Sequence, residues 1–315
     1  MKEKTKEFQT TIGGQALIEG ILMRGPKKQA MVVRTPDGLV KKVEELKFIK
    51  DKYPILGLPF IRGVVNFGGA MSAGVRAIFF AVEQLPDDEQ YEQESKFDRW
   101  LERKFGKDEK GQKALMTLVT VFAIAISVGL FILLPTLLAG IVARFVQSSV
   151  WRNVIEGVIR VAIFLGYLAA VSRMPDIQRV FRYHGAEHKT IFCYEKGLPL
   201  TVENVRTQQK EHPRCGTSFL FVVMIVSIIV FSVVTWSNPF IRIVLRLALL
   251  PVVVAISYEF NRIVGRHCNW FTNILSAPGR WLQKLTVYEP DDSMREVAIA
   301  AMELVIPEVE GEDRW

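Results

Sequence analysis

Cysteine and histidine are scarce in this sequence: three of the one and four of the other among 315 residues. Cys193, Cys215 and Cys268 are too few and too scattered for a disulfide framework, which leaves a reducing side of the membrane or a metal role as their better reading. Four histidines also fall short of a membrane di-iron oxygenase, which needs about twice that number. Nothing resembling an inverted repeat is visible, and this counts against secondary transport. No cleavable export signal is expected either, since Met1 to Thr10 is polar and the apolar run after it, Ile12 to Met23, is broken by Glu19 and several glycines. Charge is missing only in places. No charged residue stands between Lys113 and Arg144, nor between Arg214 and Arg242, whereas Pro86 to Lys113 is dominated by Asp, Glu, Lys and Arg.

That split explains how a chain half hydrophobic in composition also carries a net charge of +7. A hydrocarbon layer about 30 Å thick needs roughly 20 apolar residues at helical rise, and both uncharged blocks exceed this. The expected fold class is therefore an α-helical polytopic membrane protein with about four transmembrane helices and a small cytoplasmic α+β portion. Intrinsic disorder and a single soluble globule are excluded. Residues 1–52 read as a β-rich cytoplasmic segment with an antiparallel sheet, because Gly13 to Leu46 alternates β-rich runs around the turn Pro36-Asp37-Gly38. Residues 53–85 read as an interfacial or re-entrant helical hairpin: glycines stand at 57, 63, 68, 69 and 74, and Arg62 and Arg76 argue against a free lipid-facing span. A charged amphipathic linker is expected at 86–113, with Phe97, Trp100, Leu101 and Phe105 at helical spacing.

The first two spans fall within 114–172, about Ala114 to Ala143 and Asn153 to Ser172, and the second carries Glu156 and Arg160 in the order that favours a helical ion pair. A cytoplasmic connection occupies 173–214. The last two spans fall within 215–258, about Thr217 to Trp236 and Phe240 to Tyr258, with Arg242 and Arg246 in the latter. Residues 259–315 form a cytoplasmic C-terminal helical segment, in which Asp291-Asp292 opens an amphipathic helix with Met294, Val297, Ala298, Ala301, Met302 and Val305 on one face. Eight basic residues, Arg173, Arg179, Arg182, Lys189, Lys196, Arg206, Lys210 and Arg214, mark the central connection as cytoplasmic and with it both termini. The chain is thus expected to be a multi-pass protein of the cell membrane. Its basic charge suits a lipid surface and not nucleic acid, since no stacking aromatic pattern accompanies it.

Three of the four histidines gather in that connection, as Tyr183-His184-Gly185-Ala186-Glu187-His188-Lys189 and His212-Pro213-Arg214-Cys215-Gly216. On a helix, His184 and His188 lie one turn apart on one face and can chelate one ion, and Glu187 lies beside them. His-x-x-Glu-His is the order of an inverted zinc-peptidase motif, whose glutamate acts as general base toward water. His212 and Cys215 supply a second pair of donors. The candidate ligands of a divalent metal, zinc by donor chemistry, are therefore His184, His188, His212 and Cys215, with Glu187 catalytic. Three ligands and a water make a catalytic site; four close a structural one. The blander alternative makes the histidines surface groups of a basic loop and Cys215 a small apolar residue at a helix start. Glu19, in a glycine-flanked strand, reads as a ligand or supporting acceptor or else as an exposed strand carboxylate, and Glu259, beside Tyr258 and Asn261, either reaches the same site as a supporting group or marks the membrane boundary. Glu195 reads as solvated, the adjacent His267 and Cys268 as non-ligands, and Gly13-Gly14 as turn chemistry.

GGQALIEGILMRG, YHGAEHKTIFCYE with HPRCGTSF, SYEFNR, and LQKLTVYEPDDSMREVAIAAM together resemble the YqhQ family of bacterial membrane proteins over about residues 11–305. The family is uncharacterised and commonly described only as candidate metal-dependent enzymes. The resemblance implies that His184, Glu187, His188, His212, Cys215 and Glu19 occupy its characteristic positions. Leu285-Thr286-Val287-Tyr288-Glu289-Pro290 stands where many members read Leu-Thr-Thr-Arg-Glu-Pro, so the basic residue of that site is absent here. Two functional readings follow. One is a membrane-embedded metal-dependent hydrolase acting at the cytoplasmic face on a membrane-proximal peptide or lipid-linked substrate. The other is a non-enzymatic scaffold or conduit with a structural metal site, lined by Glu156, Arg160, Arg242 and Arg246.

Overall fold

The computed structural model describes residues 8–85, 109–142, 145–146, 148–232, 239–266 and 270–314. Most of the expected charged linker, the His267-Cys268 pair and the end of the expected third span lie outside these residues. The chain divides into two compact units, one of Met1–Leu85, Leu168–Val230 and Ala248–Trp315, the other of Pro86–Tyr167 and Phe231–Leu247.

The first unit is built on an antiparallel meander in the order β1 (Gly13–Leu17), β2 (Gly20–Arg24), β3 (Lys28–Thr35), β4 (Gly38–Glu45). Leu17 pairs with Gly20 across the two-residue turn Ile18-Glu19, and Glu19 takes the left-handed conformation that such a turn requires, at φ 52°. Thr35 pairs with Gly38 across Pro36-Asp37, with Gly38 at φ 129°, so the expected turn is in place. Both faces of the sheet are covered. Ile21, Met23, Ala30 and Val32 meet α4 (Pro175–Glu195) and α8 (Asp292–Glu303) through Tyr183, Ala186, Met294, Val297, Ala298 and Ala301. Leu17, Leu22, Met31 and Val33 meet α1 (Ile61–Gln84) through Ala77 and Ala81. Two-sided burial is why β2 and β3 read as continuous apolar runs without strict alternation. α8 starts where its cap predicts: the Asp291 carboxylate accepts the Met294 N–H at 3.0 Å. Thr10 and Arg314 form an isolated antiparallel bridge.

α1 differs from the expected hairpin. It is one helix of 24 residues, entered by a short turn at Pro54–Gly57, and its glycines stay in helical register. Gly63 explains part of this, since a Cβ there would stand 2.9 Å from the Tyr258 Cβ; the glycine serves close packing and not a bend. Its buried residues are small, and Ile61, Val64, Met71, Ile78 and Val82 stand exposed on its outer face.

The protein is a polytopic membrane protein: among the described residues four helices are long and apolar enough to cross a membrane, at Ile61–Gln84, Thr117–Val142, Trp151–Val171 and Ile243–Arg266, and the apolar Gly216–Ser232 is shorter. In chain order the later ones belong to α2 (Glu109–Val128, a π turn at Gly129–Leu133, then Leu134–Val142), α3 (Ser149–Val171), α5 (Gly216–Ser232) and α6 (Pro239–Arg266), followed by α7 (Trp270–Thr286). α6 runs eight residues beyond the expected end of the fourth span. In the second unit the expected Glu156–Arg160 pair is present and has gained a partner: Arg246 donates to Glu156 Oε2 at 2.7 Å and to Thr136 Oγ1 at 2.6 Å, and both guanidinium groups lie over the Phe231 ring.

Candidate metal centre

α4 carries the histidine motif and is held on three sides. It packs on β1 and β2, against α8, and against the segment after α7, where the Tyr288 N–H donates to the Phe181 carbonyl at 3.0 Å. Two glycines allow these approaches. A Cβ on Gly185 would stand 2.0 Å from the Tyr288 carbonyl oxygen, and one on Gly14 would stand 3.0 Å from the Glu187 carboxyl carbon. Gly14 is therefore a close-approach residue within β1, and the turn role expected of it does not apply.

The fold brings His184, His188 and Cys215 together, one donor atom of each lying within 4.8 Å of the others. The two imidazoles are oriented by backbone carbonyls: His184 Nδ1 faces the Thr286 oxygen at 3.0 Å and His188 Nδ1 faces the Lys210 oxygen at 2.5 Å. A carbonyl only accepts, so each Nδ1 carries a proton, and Nε2 is the nitrogen that each ring can offer a metal once it holds no proton of its own. His184 Nε2 lies 3.1 Å from Cys215 Sγ, close to the roughly 3.5 Å that separates nitrogen and sulfur on one tetrahedral zinc. Burial by itself pulls the His184 imidazole down, but the facing Cys215 outweighs it and pushes the value up to about 9. Burial likewise opposes the Cys215 thiolate, and the His184 and His188 imidazoles overcome it, holding the thiol well below its usual range. A soft, negatively charged thiolate beside two imidazole rings is a donor set suited to zinc, the ion taking the place of the proton between His184 and Cys215.

Glu187 completes the cluster. Its side chain is buried, one carboxylate oxygen accepts the Gly14 N–H, and Oε2 has no hydrogen-bond partner among the described residues. Burial raises its pKa, opposed by the two imidazoles. A cavity of about 380 Å³ opens over these groups, with His184, Glu187, His188, His212, Cys215 and β1 in its wall.

His212, expected as a ligand, lines the same cavity with its ring 5.5 Å from that of His188, but its nitrogens are engaged elsewhere. Nδ1 accepts the Arg214 N–H at 3.3 Å, and Nε2 faces Glu195 Oε2 at 3.6 Å. Burial lowers its pKa to about 4. Glu195 is correspondingly not solvated: it is buried between His212, Arg214 and the Thr10 N–H, and although burial opposes its charge, the His212 and Arg214 partners hold its pKa below the usual carboxylate value. The two carboxylates expected as supporting acceptors go elsewhere. Glu19 is taken by Arg179 and the Tyr183 hydroxyl, and Glu259 by Arg62 at 2.5 and 2.7 Å, so a nearer cation satisfies each. Sequence reasoning missed Gln283, whose amide clamps the His212 backbone, accepting its N–H at 2.8 Å and donating to its carbonyl at 2.7 Å. It missed Thr286 and Lys210 too, which act through main-chain carbonyls that no side-chain pattern records.

Residues 58–308 match the family described as "Protein of unknown function (DUF1385)". The chain belongs to that family. It is also 34% identical, over 296 residues covering 91% of this chain and 89% of the relative, to "Uncharacterized protein YqhQ" of Bacillus subtilis (strain 168). No solved structure matches. Membership agrees with the resemblance drawn from the motifs and assigns no chemistry.

Proposed function

We propose that the protein is a membrane-embedded, metal-dependent hydrolase whose site lies at the cytoplasmic membrane face. The observation that carries this is Glu187, in the wall of an open cavity beside three converging donors, with an Oε2 that has no hydrogen-bond partner among the described residues. His184 Nε2, His188 Nε2 and Cys215 Sγ would hold zinc. When bound, the ion would supply a Lewis acid that polarises a substrate carbonyl and acidifies water. Glu187 Oε2 takes the proton of the attacking water and hands it to the leaving group, and the Gly14 N–H keeps the carboxylate aimed. The Thr286 and Lys210 carbonyls fix the imidazole tautomers, and His212, gripped by Gln283 and Glu195, walls the cavity. Substrates would be membrane-proximal peptides or lipid-linked molecules. Replacing Glu187 by Gln is expected to abolish turnover with one metal still bound per chain; loss of metal as well would make Glu187 structural and overturn its role.

Orientation is supported by chain parity. β1–β4, α4 and α8 share one core, so an even number of crossings separates them. Three apolar helices, α1, α2 and α3, intervene between the sheet and α4. α1 lays Ala77 and Ala81 on the sheet, which marks it as the one that stays at the interface, its exposed apolar face in lipid. α2, α3, α5 and α6 would then make the four crossings, and the basic connection supports a cytoplasmic position for both termini. A reporter active only outside the cytoplasm should stay silent after Leu85 and be active after Ser148; activity after Leu85 would refute this topology.

A second reading, a non-enzymatic scaffold or conduit with a structural metal site, draws on the buried Glu156, Arg160 and Arg246 and on His212 as a nearby fourth donor. X-ray absorption separates the two. Four protein ligands favour the structural site, whereas three ligands and an exchangeable water favour the hydrolase.

A further inference from the structure

The cavity has a direction. Its wall includes every residue from Thr10 to Ala16, which covers most of β1, and Val180, Phe181, His184, Glu187, His188 and Ile191 from one face of α4. At helical rise that face is about 16 Å long, the length of roughly five residues of extended chain. β1 is an edge strand, paired only with β2. Because the tight turn closes at Leu17 and Gly20, ladder alternation directs the main-chain groups of Gly13, Gln15 and Leu17 at β2 and those of Gly14 and Ala16 outward. The Gly14 N–H reaching Glu187 agrees with this. The Gly14 carbonyl and the Ala16 N–H remain, with no backbone partner from another element among the described residues. Gly14 is exposed to solvent in the cavity wall.

We infer that the open edge of β1 binds the main chain of an extended peptide, which adds to the sheet as a fifth strand and runs beneath the His184–His188–Cys215 cluster. An acyl chain has no alternating donors and acceptors to match this edge; a polypeptide backbone does. The strand bonds end at Gly14, where Glu187 occupies the outward N–H, and this sets the scissile amide beside the carboxylate. Cleavage breaks that C–N bond, puts the water oxygen on the carbonyl carbon and delivers its proton through Glu187 to the departing amine. The inference names the substrate class of the hydrolase site, and depends on that reading for cleavage but not for binding.

The test uses the full chain, zinc-treated and carrying Glu187→Gln so that bound peptide persists, in lipid nanodiscs. The probe is a mixture of octapeptides randomised at every position, with retained peptides read by mass spectrometry. An otherwise identical mixture N-methylated at alternate amides is the control. Retention should fall at least tenfold for the methylated mixture, and equally for unmethylated peptides when Ala16→Pro removes the edge N–H, with zinc content and melting temperature unchanged. Proline is tolerated at a strand edge whose N–H faces outward. No retention, or retention indifferent to both changes, overturns the inference. Retention sensitive to both changes in a protein that takes up no zinc upholds the peptide edge and refutes the hydrolase.

Discussion

Two polar clusters are each built on a carboxylate more than nine-tenths hidden from solvent, Glu187 in one and Glu156 in the other, and they differ in what those carboxylates do. In the second unit both oxygens of Glu156 are taken, by Arg160, Arg246 and Thr136, and the guanidinium groups rest on Phe231. In the first unit one oxygen of Glu187 is held by Gly14, and the other is buried beside the cavity with no hydrogen-bond partner among the described residues. A carboxylate closed on all sides fixes the packing of helices in a medium where an unpaired charge is very costly. A carboxylate left half open costs stability, and that cost is retained where the free oxygen has chemistry to do.

Removing donors should separate the clusters most sharply. His184→Ala and Cys215→Ser are each expected to reduce bound zinc from about one per chain to near zero, because three donors leave none to spare. Glu156→Gln should leave zinc content untouched. Metal analysis of the purified proteins decides, and equal content in all of them would eliminate the metal site.

Next in size, Glu156→Gln should destabilise the folded protein by about 3–5 kcal/mol, since it strands two buried guanidinium groups without their anion. Thermal unfolding in detergent measures this. A shift below 1 kcal/mol would mean the cluster is hydrated, and the conduit reading would gain. Gly185→Ala should cost about 1–3 kcal/mol by overpacking, as its Cβ would stand 2.0 Å from the Tyr288 oxygen. It should also weaken zinc binding, by shifting the Thr286 carbonyl that orients His184, whereas an equivalent glycine with open space around it, Gly166, should accept alanine without effect on either.

The same contrast explains what could be read from the sequence. Turn chemistry at Pro36-Asp37-Gly38, the cap at Asp291 and the apolar face from Met294 to Val305 are local signals, and each appears where expected. The His184, Glu187 and His188 spacing is local as well, and one helix face delivers it. Assigning the remaining ligands required knowing which cation or carboxylate lies nearer in space. Glu19 has Arg179, Glu259 has Arg62, and His212 has Glu195, and those pairings join residues up to 197 positions apart. The glycines of α1 looked like breaks because sequence alone cannot distinguish a glycine that bends a helix from one that admits a neighbour such as Tyr258.

The smallest expected change in metal content is the one that most refines the comparison. His212→Ala removes an imidazole whose two nitrogens already face Arg214 and Glu195, so zinc content should remain near one per chain. Stability should fall by only about 1 kcal/mol, since Glu195 keeps Arg214 and the Thr10 N–H as partners. Loss of zinc would mean that His212 turns its ring on metal binding, a short rotation given that it lies 5.5 Å from His188. The site would then close on four protein ligands. Glu187 would lose the open position it needs, and the first cluster would join the second as a device for holding the fold.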